Sequence, residues 1–321
     1  MKGMRLRIIS LKAINLEDKR FCLSPVINFQ PLVSSIREAG LLLPPVVRET
    51  DRGFILISGW KRVLACQQLN LTSFPVLILP SNTSDLEAFL RCLEENLSQR
   101  PLSLAERIEA VNKLAAYGLS PTEVVKKFMP RLALPASHRY YKFFLDLSKS
   151  QTPEFKKFLH ETEIPLEALE VLASFPEPGR SLLFPYLKFL SFSRRREVIL
   201  DLEAVILREK LSIGELLGAV EVKTTLEAEE IPPRRKAEVL AGWLRRRRFP
   251  LIAAWEEEME RRKKEIGWPK EIKLFFDPTF EDDSLRVSFG FRSGEEFLAR
   301  LEKLKAIAAK PEFRHLFRRS L

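Results

Sequence analysis

The chain has 321 residues, 45% hydrophobic and 30% charged, with 53 lysines and arginines against 43 aspartates and glutamates for a formal net charge of +10. That apolar content excludes a disordered chain and supplies enough core for two or three domains. The positive balance points to polyanions, duplex DNA ahead of a membrane, because no terminal segment joins a basic face to a strongly apolar one; a solvated surface gives the same balance, so charge alone selects weakly.

Met1 to Lys12 is broken by Lys2, Arg5 and Arg7, so neither a signal peptide nor a membrane span is expected and the protein is placed in the cytoplasm. Next come a helix ending at Ala39, the stretch Gly40-Leu41-Leu42-Leu43-Pro44-Pro45, and a strand at Val46-Val47. Phe54 to Ile57 is a second strand, Ser58 a competent helix cap, and Trp60 to Leu69 a helix by its apolar spacing. Gly59 falls at the strand-to-helix junction. Glycine there lets backbone approach a ligand, and the unpaired N–H groups of the first turn, with Lys61 and Arg62, favour an anion. The plainer reading is a tight turn with both cations facing water. Pro75 to Ile78 is a third strand, and Asp85 to Gln99 an amphipathic helix.

Beyond residue 100, Ser103/Glu106, Ser120/Glu123, Ser212/Glu215 and Ser293/Glu296 each have the spacing of a capping box. Pro121 and Pro153 suit first-turn positions. Leu104, Ile108, Val111 and Ala115 form one stripe, and residues 103 to about 218 read as short helices. Among them Ser120 to Met129, a turn from Pro130 to Pro135, and Ala136 to Leu147 have the layout of a helix-turn-helix or of an ordinary helical hairpin. In the first case Ser137, His138, Arg139, Tyr140 and Lys142 are presented to DNA, while Tyr141, Phe144, Leu145 and Leu147 pack. Arg194 to Arg196 touch DNA or face solvent. Glu221 to Pro233 reads as a linker.

Arg234 to Lys264 is helical, with Arg245, Arg246, Arg247 and Arg248 read either as a helix end favoured by its dipole or, preferably, as a phosphate-contacting patch. Strands at Glu271–Phe276 and Leu285–Phe291, a connection over Pro278–Ser284, and a helix from Ser293 to Ala309 with Phe297, Leu301 and Leu304 on one face close the chain. A hairpin and one helix cannot cover their own apolar surface. The expected cover is a second copy, or else the preceding helices. Cys22, Cys66 and Cys92 are widely spaced and read as buried small hydrophobes, and neither they nor His138, His160 and His315 have the spacing of a zinc site. No haem or flavin is expected either.

Four motifs in order, Gly40-Leu-Leu-x-Pro44, Gly59-x-x-Arg62-x-x-Ala65, the Pro75-Val76 strand, and Glu95-Asn96-Leu97 at a helix end, resemble the N-terminal domain of the ParB family of chromosome and plasmid partition proteins. The resemblance covers Leu6 to about Leu104. It implies that Gly40 and Pro44 help enclose CTP, that Gly59, Lys61 and Arg62 hold its phosphates, and that Glu95 and Asn96 serve magnesium and hydrolysis, Asn96 through the metal. Trp60 stands where the family has an acidic residue, Lys61 where it has an arginine, and Ser98, Gln99 and Arg100 where it has Gln-Arg-Glu. Those departures imply binding with slow or absent turnover. Sulfiredoxin shares the fold but needs a cysteine in this turn, and Trp60 and Lys61 occupy that place. A nucleotide-dependent phosphotransferase on the same fold, with Glu94 or Glu95 as base, is the alternative.

The expectation is therefore a multidomain α+β protein: a ParB/sulfiredoxin-like nucleotide-type domain at 1–102, an all-helical DNA-binding domain at 103–220, and a linker, basic helices and a strand-strand-helix dimerisation unit at 221–321. It would be nucleoid-associated, bind duplex DNA as a homodimer, and meet a ParA-type ATPase, with no membrane partner.

Overall fold

The computed structural model describes residues 4–23, 29–276 and 284–317. The chain divides into two compact units, Met1–Ile199 and Leu200–Leu321.

The first unit opens on a five-stranded sheet with α-helices between its strands: β1 (Arg5–Ser10), β2 (Ile14–Asn15), α1 (Gln30–Ala39), β3 (Val46–Thr50), β4 (Gly53–Ser58), α2 (Trp60–Gln68), β5 (Ser73–Leu79) and α3 (Asp85–Gln99). Strand order is β1-β5-β3-β4-β2. β1 and β5 run antiparallel, with Leu6 opposite Leu77 and Ile8 opposite Pro75, whereas β5 and β3 are parallel. Leu56, Val47, Val76 and Ile78 join Val33, Ile36 and Val63 in one core beneath α1 and α2. On the other side of the sheet Ile57 and Leu77 share a cleft with Leu90 of α3. With apolar neighbours on both faces, Phe54 to Ile57 reads as a continuous apolar run rather than an alternating one. β1 and β2 are the two edge strands, and on β1 Leu6 and Ile8 are 63% and 71% exposed.

Two glycines are dictated by this packing. Gly53, at φ +115°, follows the Asp51-Arg52 turn, and a Cβ there would lie 2.6 Å from the Ala13 carbonyl oxygen beside β2. Gly59, at φ +91°, is the N-cap of α2. Ser58 does not cap: it is buried, and its hydroxyl donates to Glu95 instead. Arg100 ends α3 in extended backbone, as the residue before Pro101 must.

Helices follow: α4 (Leu104–Ala116), α5 (Pro121–Glu123) continuing as a π turn through Phe128, a 3-10 turn at Pro130–Leu132, α6 (His138–Ser150), α7 (Pro153–Glu161), α8 (Leu166–Ser174), α9 (Phe184–Leu187) and α10 (Phe192–Glu209), within which the boundary between units falls. The boxes at Ser103, Ser120 and Ser212 are reciprocal. Ser293 caps, but the Glu296 carboxylate accepts from the Arg292 N–H rather than from the cap residue. On α4 the buried stripe is Leu104, Ile108, Val111 and Leu114, while Ala115 is only partly covered.

The second unit holds α11 (Ile213–Leu217), α12 (Val220–Glu227), α13 (Pro233–Arg248), α14 (Pro250–Ile266), a β6 (Lys273–Phe276) and β7 (Leu285–Ser288) hairpin, and α15 (Gly294–Ala308). The supposed linker is mostly helix. Val222 and Leu226, four apart, are buried where α12 meets α13, and only Ala228 to Pro232 connects them. Pro278 to Asp283 of the supposed connection lies outside the described residues. β7 ends at Ser288, short of Phe291, and Phe289 and Phe291 gather on Phe297 at 5.8 and 4.9 Å between ring centres. One face of the strand-strand-helix element packs within the chain: Leu274 and Ile307 join Met259 and Ile266 of α14, with Trp255 and Trp268 alongside. Phe275, Val287, Phe291 and Leu298 stay exposed.

Candidate functional site

The start of α2, the end of α3 and the segment after β2 enclose a cleft of about 200 Å³. Ser58, Gly59, Trp60, Lys61 and Arg62 form one wall, Cys92, Glu95, Asn96, Gln99 and Arg100 another, and Phe21, Cys22, Leu23, Leu32 and Leu43 the remainder. Four of the turn and helix residues singled out in the sequence are thus brought together with Lys61: Gly59, Arg62, Glu95 and Asn96. Gly40 and Pro44 lie on the loop entering β3, whose Leu43 reaches the cleft.

Arg62 and Glu95 face each other as an ion pair. Arg62 Nη1 also donates to the carbonyls of Leu43 at 2.9 Å and Pro44 at 3.4 Å. The Glu95 carboxylate accepts from Ser58 Oγ, Arg62 Nη2 and, at 3.3 Å, Gln99 Nε2. The Asn96 amide nitrogen donates to the Cys92 carbonyl at 2.8 Å, which leaves its Oδ1 for another partner. Lys61 is half-buried and has no hydrogen-bond or ion-pair partner among the described residues. Trp60 lays its ring against the sheet core, and its Nε1 is buried without an acceptor among the described residues. Trp60 also lines the cleft. Glu94 points elsewhere, to Arg131 at 2.7 Å.

Cys92 is buried, and burial pushes its thiol up to about 12. Cys22, expected to be buried as well, is partly exposed in the cleft wall, because the segment carrying it lies over α3 and not under the sheet. That segment is fixed from α4: the Arg20 carbonyl accepts from Lys113 Nζ at 2.7 Å and from Tyr117 Oη at 2.8 Å. Arg100 spans from the cleft to α4, donating to the fully buried Glu106 at 2.7 and 2.5 Å. Neither Phe21 to Leu23 nor the Arg100–Glu106 bridge was marked by a sequence motif. A glutamate at a capping position six residues after an arginine is the one available signal.

In α6 the faces divide less cleanly than expected: Leu145, Ser137 and Tyr140 are all half-buried. Tyr141, Phe144 and Leu147 are buried, and His138, Arg139 and Lys142 are exposed at the first turns of α6. Ser137 is the N-cap without a side-chain cap bond. Arg139 lies 5.6 Å over the Tyr140 ring and pairs with Glu170 at 2.7 Å. Three of the four clustered arginines have carboxylate partners in the second unit: Arg245 with Glu256, Arg247 with Glu209, and Arg248 with the buried Asp201. Arg246 is exposed.

The cleft thus sets a glycine-turned helix start bearing Lys61 opposite a carboxylate and an amide, in an α/β domain joined to a helical region. Residues 10–97 match the ParB N-terminal domain family, so the chain carries a ParB N-terminal domain and the resemblance read from the motifs is borne out. It is 26% identical to a probable chromosome-partitioning protein ParB of Chlamydia muridarum, over 92% of this chain and 93% of that one. It is 33% identical to the chromosome-partitioning protein Spo0J of Thermus thermophilus, over 31% of this chain and 36% of that one. Among solved structures, the C-terminally truncated chromosome-partitioning protein ParB from Caulobacter crescentus complexed with CTP-gamma-S is matched over 56% of this chain and 97% of that one, at 21% identity and a TM-score of 0.26.

Proposed function

We propose that this chain is a ParB-type, nucleoid-associated DNA-binding protein that acts in chromosome or plasmid partition, or in nucleoid organisation or regulation, and that it takes CTP in the cleft. The observation that carries this reading is the ParB N-terminal domain at 10–97, followed in the same unit by a helix pair whose second helix turns His138, Arg139 and Lys142 to solvent. The first-turn N–H groups of α2, with Lys61 and Arg62, suit phosphate oxygens. Gly40 and Pro44 border the nucleotide. Asn96 Oδ1 suits magnesium, which would neutralise phosphate charge. Turnover is slow or absent, since Glu95 is already engaged by Ser58, Arg62 and Gln99.

On DNA, Ser137 to Tyr140 approach base edges and Lys142 a phosphate, with Arg246 the member of the arginine block best placed to add another. Two copies meet through the exposed face of β6, β7 and α15, and a ParA-type ATPase is the expected partner. The phosphotransferase alternative leaves the helix pair without a purpose, and the relatives named above are partition proteins.

Two measurements test the reading. Duplex binding followed by anisotropy should weaken roughly a thousandfold between about 50 and 200 mM salt if about six phosphates are contacted. Arg139→Ala should relax sequence preference. Calorimetry with each of the four nucleoside triphosphates should detect CTP. No duplex binding at low salt removes the proposal, and ATP binding with transfer to a small acceptor replaces it with the enzyme.

A further inference from the structure

Of the three cysteines, Cys66 is sealed in the core beneath α1 and α2, whereas Cys22 and Cys92, distant in sequence, line one cleft. Cys92 Sγ donates to the Phe21 carbonyl at 3.4 Å, and that carbonyl belongs to the peptide bond leading into Cys22. Backbone dimensions then place the Cys22 Cα within about 6 Å of Cys92 Sγ, a separation that rotation of the Cys22 side chain can turn into a bond. Both sides of the contact are held. Lys113 and Tyr117 fix the Arg20 carbonyl, and Asn96 Nδ2 lies 3.6 Å from Cys92 Sγ.

The two thiols differ in access. Cys22 is partly exposed. With Arg62 and Arg100 already paired to Glu95 and Glu106, Lys61 leaves the cleft lining net positive, which favours a thiolate there. Cys92 is 3% exposed, and burial, followed by the charges of Glu95 and Cys22, pushes its thiol up to about 12. It stays a thiol until a reactive sulfur is formed beside it.

We propose that Cys22 is a site of oxidative modification with Cys92 as its resolving thiol, so that peroxide joins the Phe21–Leu23 wall covalently to α3. The Cys22 thiolate attacks one oxygen of hydrogen peroxide, the O–O bond breaks, and the departing hydroxide takes a proton from solvent and leaves as water. The Cys92 sulfur then attacks the sulfenic sulfur: the S–S bond forms, the S–OH bond breaks, and the hydroxide leaves with the Cys92 proton as a second water. Both thiols are oxidised together, and the peroxide is the electron acceptor. In a reducing compartment small thiols reverse the bond, which makes it a transient mark of oxidant and not a structural bridge. This chemistry needs no nucleotide in the cleft.

Treatment of the full chain with a small excess of hydrogen peroxide, followed by alkylation, digestion and mass spectrometry, tests the proposal. The expected product is a pair of peptides joined through Cys22 and Cys92 and released by dithiothreitol, with Cys66 still a thiol. Iodoacetamide on the untreated native chain should reach Cys22 at least about tenfold faster than Cys92 or Cys66. Cys22→Ser should leave Cys92 a thiol under the same peroxide, and Cys92→Ala should stop at a sulfenic acid on Cys22 that dimedone traps. If Cys92→Ala does not fold, the wild-type digest and Cys22→Ser carry the result. A wild type in which Cys22 is untouched, or runs on to the sulfinic acid with Cys92 still a thiol, overturns the proposal, as does a bond formed instead to Cys66 or between two chains.

Discussion

Replacing Glu106 should loosen the start of α4 more than its surface-like sequence position suggests. The carboxylate is fully buried, accepts two N–H bonds from Arg100 at 2.7 and 2.5 Å, and accepts the Ser103 N–H at 2.9 Å. Glu106→Ala removes one arm of the capping box, worth about 1 kcal/mol. It also breaks a bidentate pair; a fully buried pair would cost about 3–5 kcal/mol, but the Arg100 side chain is 38% exposed and regains water, which lowers that to about 1–3. The sum is about 2–4 kcal/mol. Glu106→Gln keeps the volume and the Ser103 bond and should cost about 1–2 kcal/mol. Because a chain of two units need not unfold in one step, the suitable assay is native-state hydrogen exchange at the α4 amides. A loss of about 3 kcal/mol speeds it by roughly a hundredfold. Glu106→Ala exchanging within about threefold of wild type would refute the reasoning.

Burial holds the His160 imidazole below its ordinary value of 6.5, helped by Lys61 and Arg100 and opposed by Glu106 and Glu161. The unfolded chain then binds the proton more readily, so the stability this group supports is complete above about pH 6.5 and is lost as pH falls below it; His160→Gln should flatten that part of a stability–pH profile. Arg248→Ala should destabilise the second unit by about 1–3 kcal/mol in thermal or denaturant unfolding, because it strands the buried Asp201, whereas Arg246→Ala should leave stability within about 0.5 kcal/mol and instead lower the salt slope of DNA binding by about one. Val287→Asp with Leu298→Glu, both on exposed positions, should yield folded monomers by light scattering; a wild type already monomeric at micromolar concentration would remove the proposed dimer.

Much of the helical part was legible because its signals are local. Each Ser-x-x-Glu start and each first-turn proline acts within four residues, and Asp85 to Gln99 is helical over its whole expected length. α12 was missed because threonine and charge surround the two apolar residues that bury it. In the cleft, Gly59, Lys61 and Arg62 were legible from the turn, whereas Glu95 and Asn96 were reached only through the family resemblance. Ser58 was misread as a cap, since its true partner Glu95 is 37 residues away and only the pairing of β4 with α3 brings them together. The cleft wall from Phe21 to Leu23 had no local pattern, being held in place by Lys113 and Tyr117 of α4.

The edge strand β1 has a practical consequence for every salt titration described above. Leu6 and Ile8 present a ridge of aliphatic surface beside an open row of backbone donors and acceptors, and Arg5 and Arg7 interleave with them. Like charges at alternate positions repel a second copy that would otherwise add its own strand there, a common guard against aggregation. That guard works through charge, and its reach shrinks from about 30 Å at 0.01 M salt to about 8 Å at 0.15 M. The ionic strength that strips the protein from DNA therefore also lowers its resistance to clumping, and turbidity should be followed alongside every high-salt binding point.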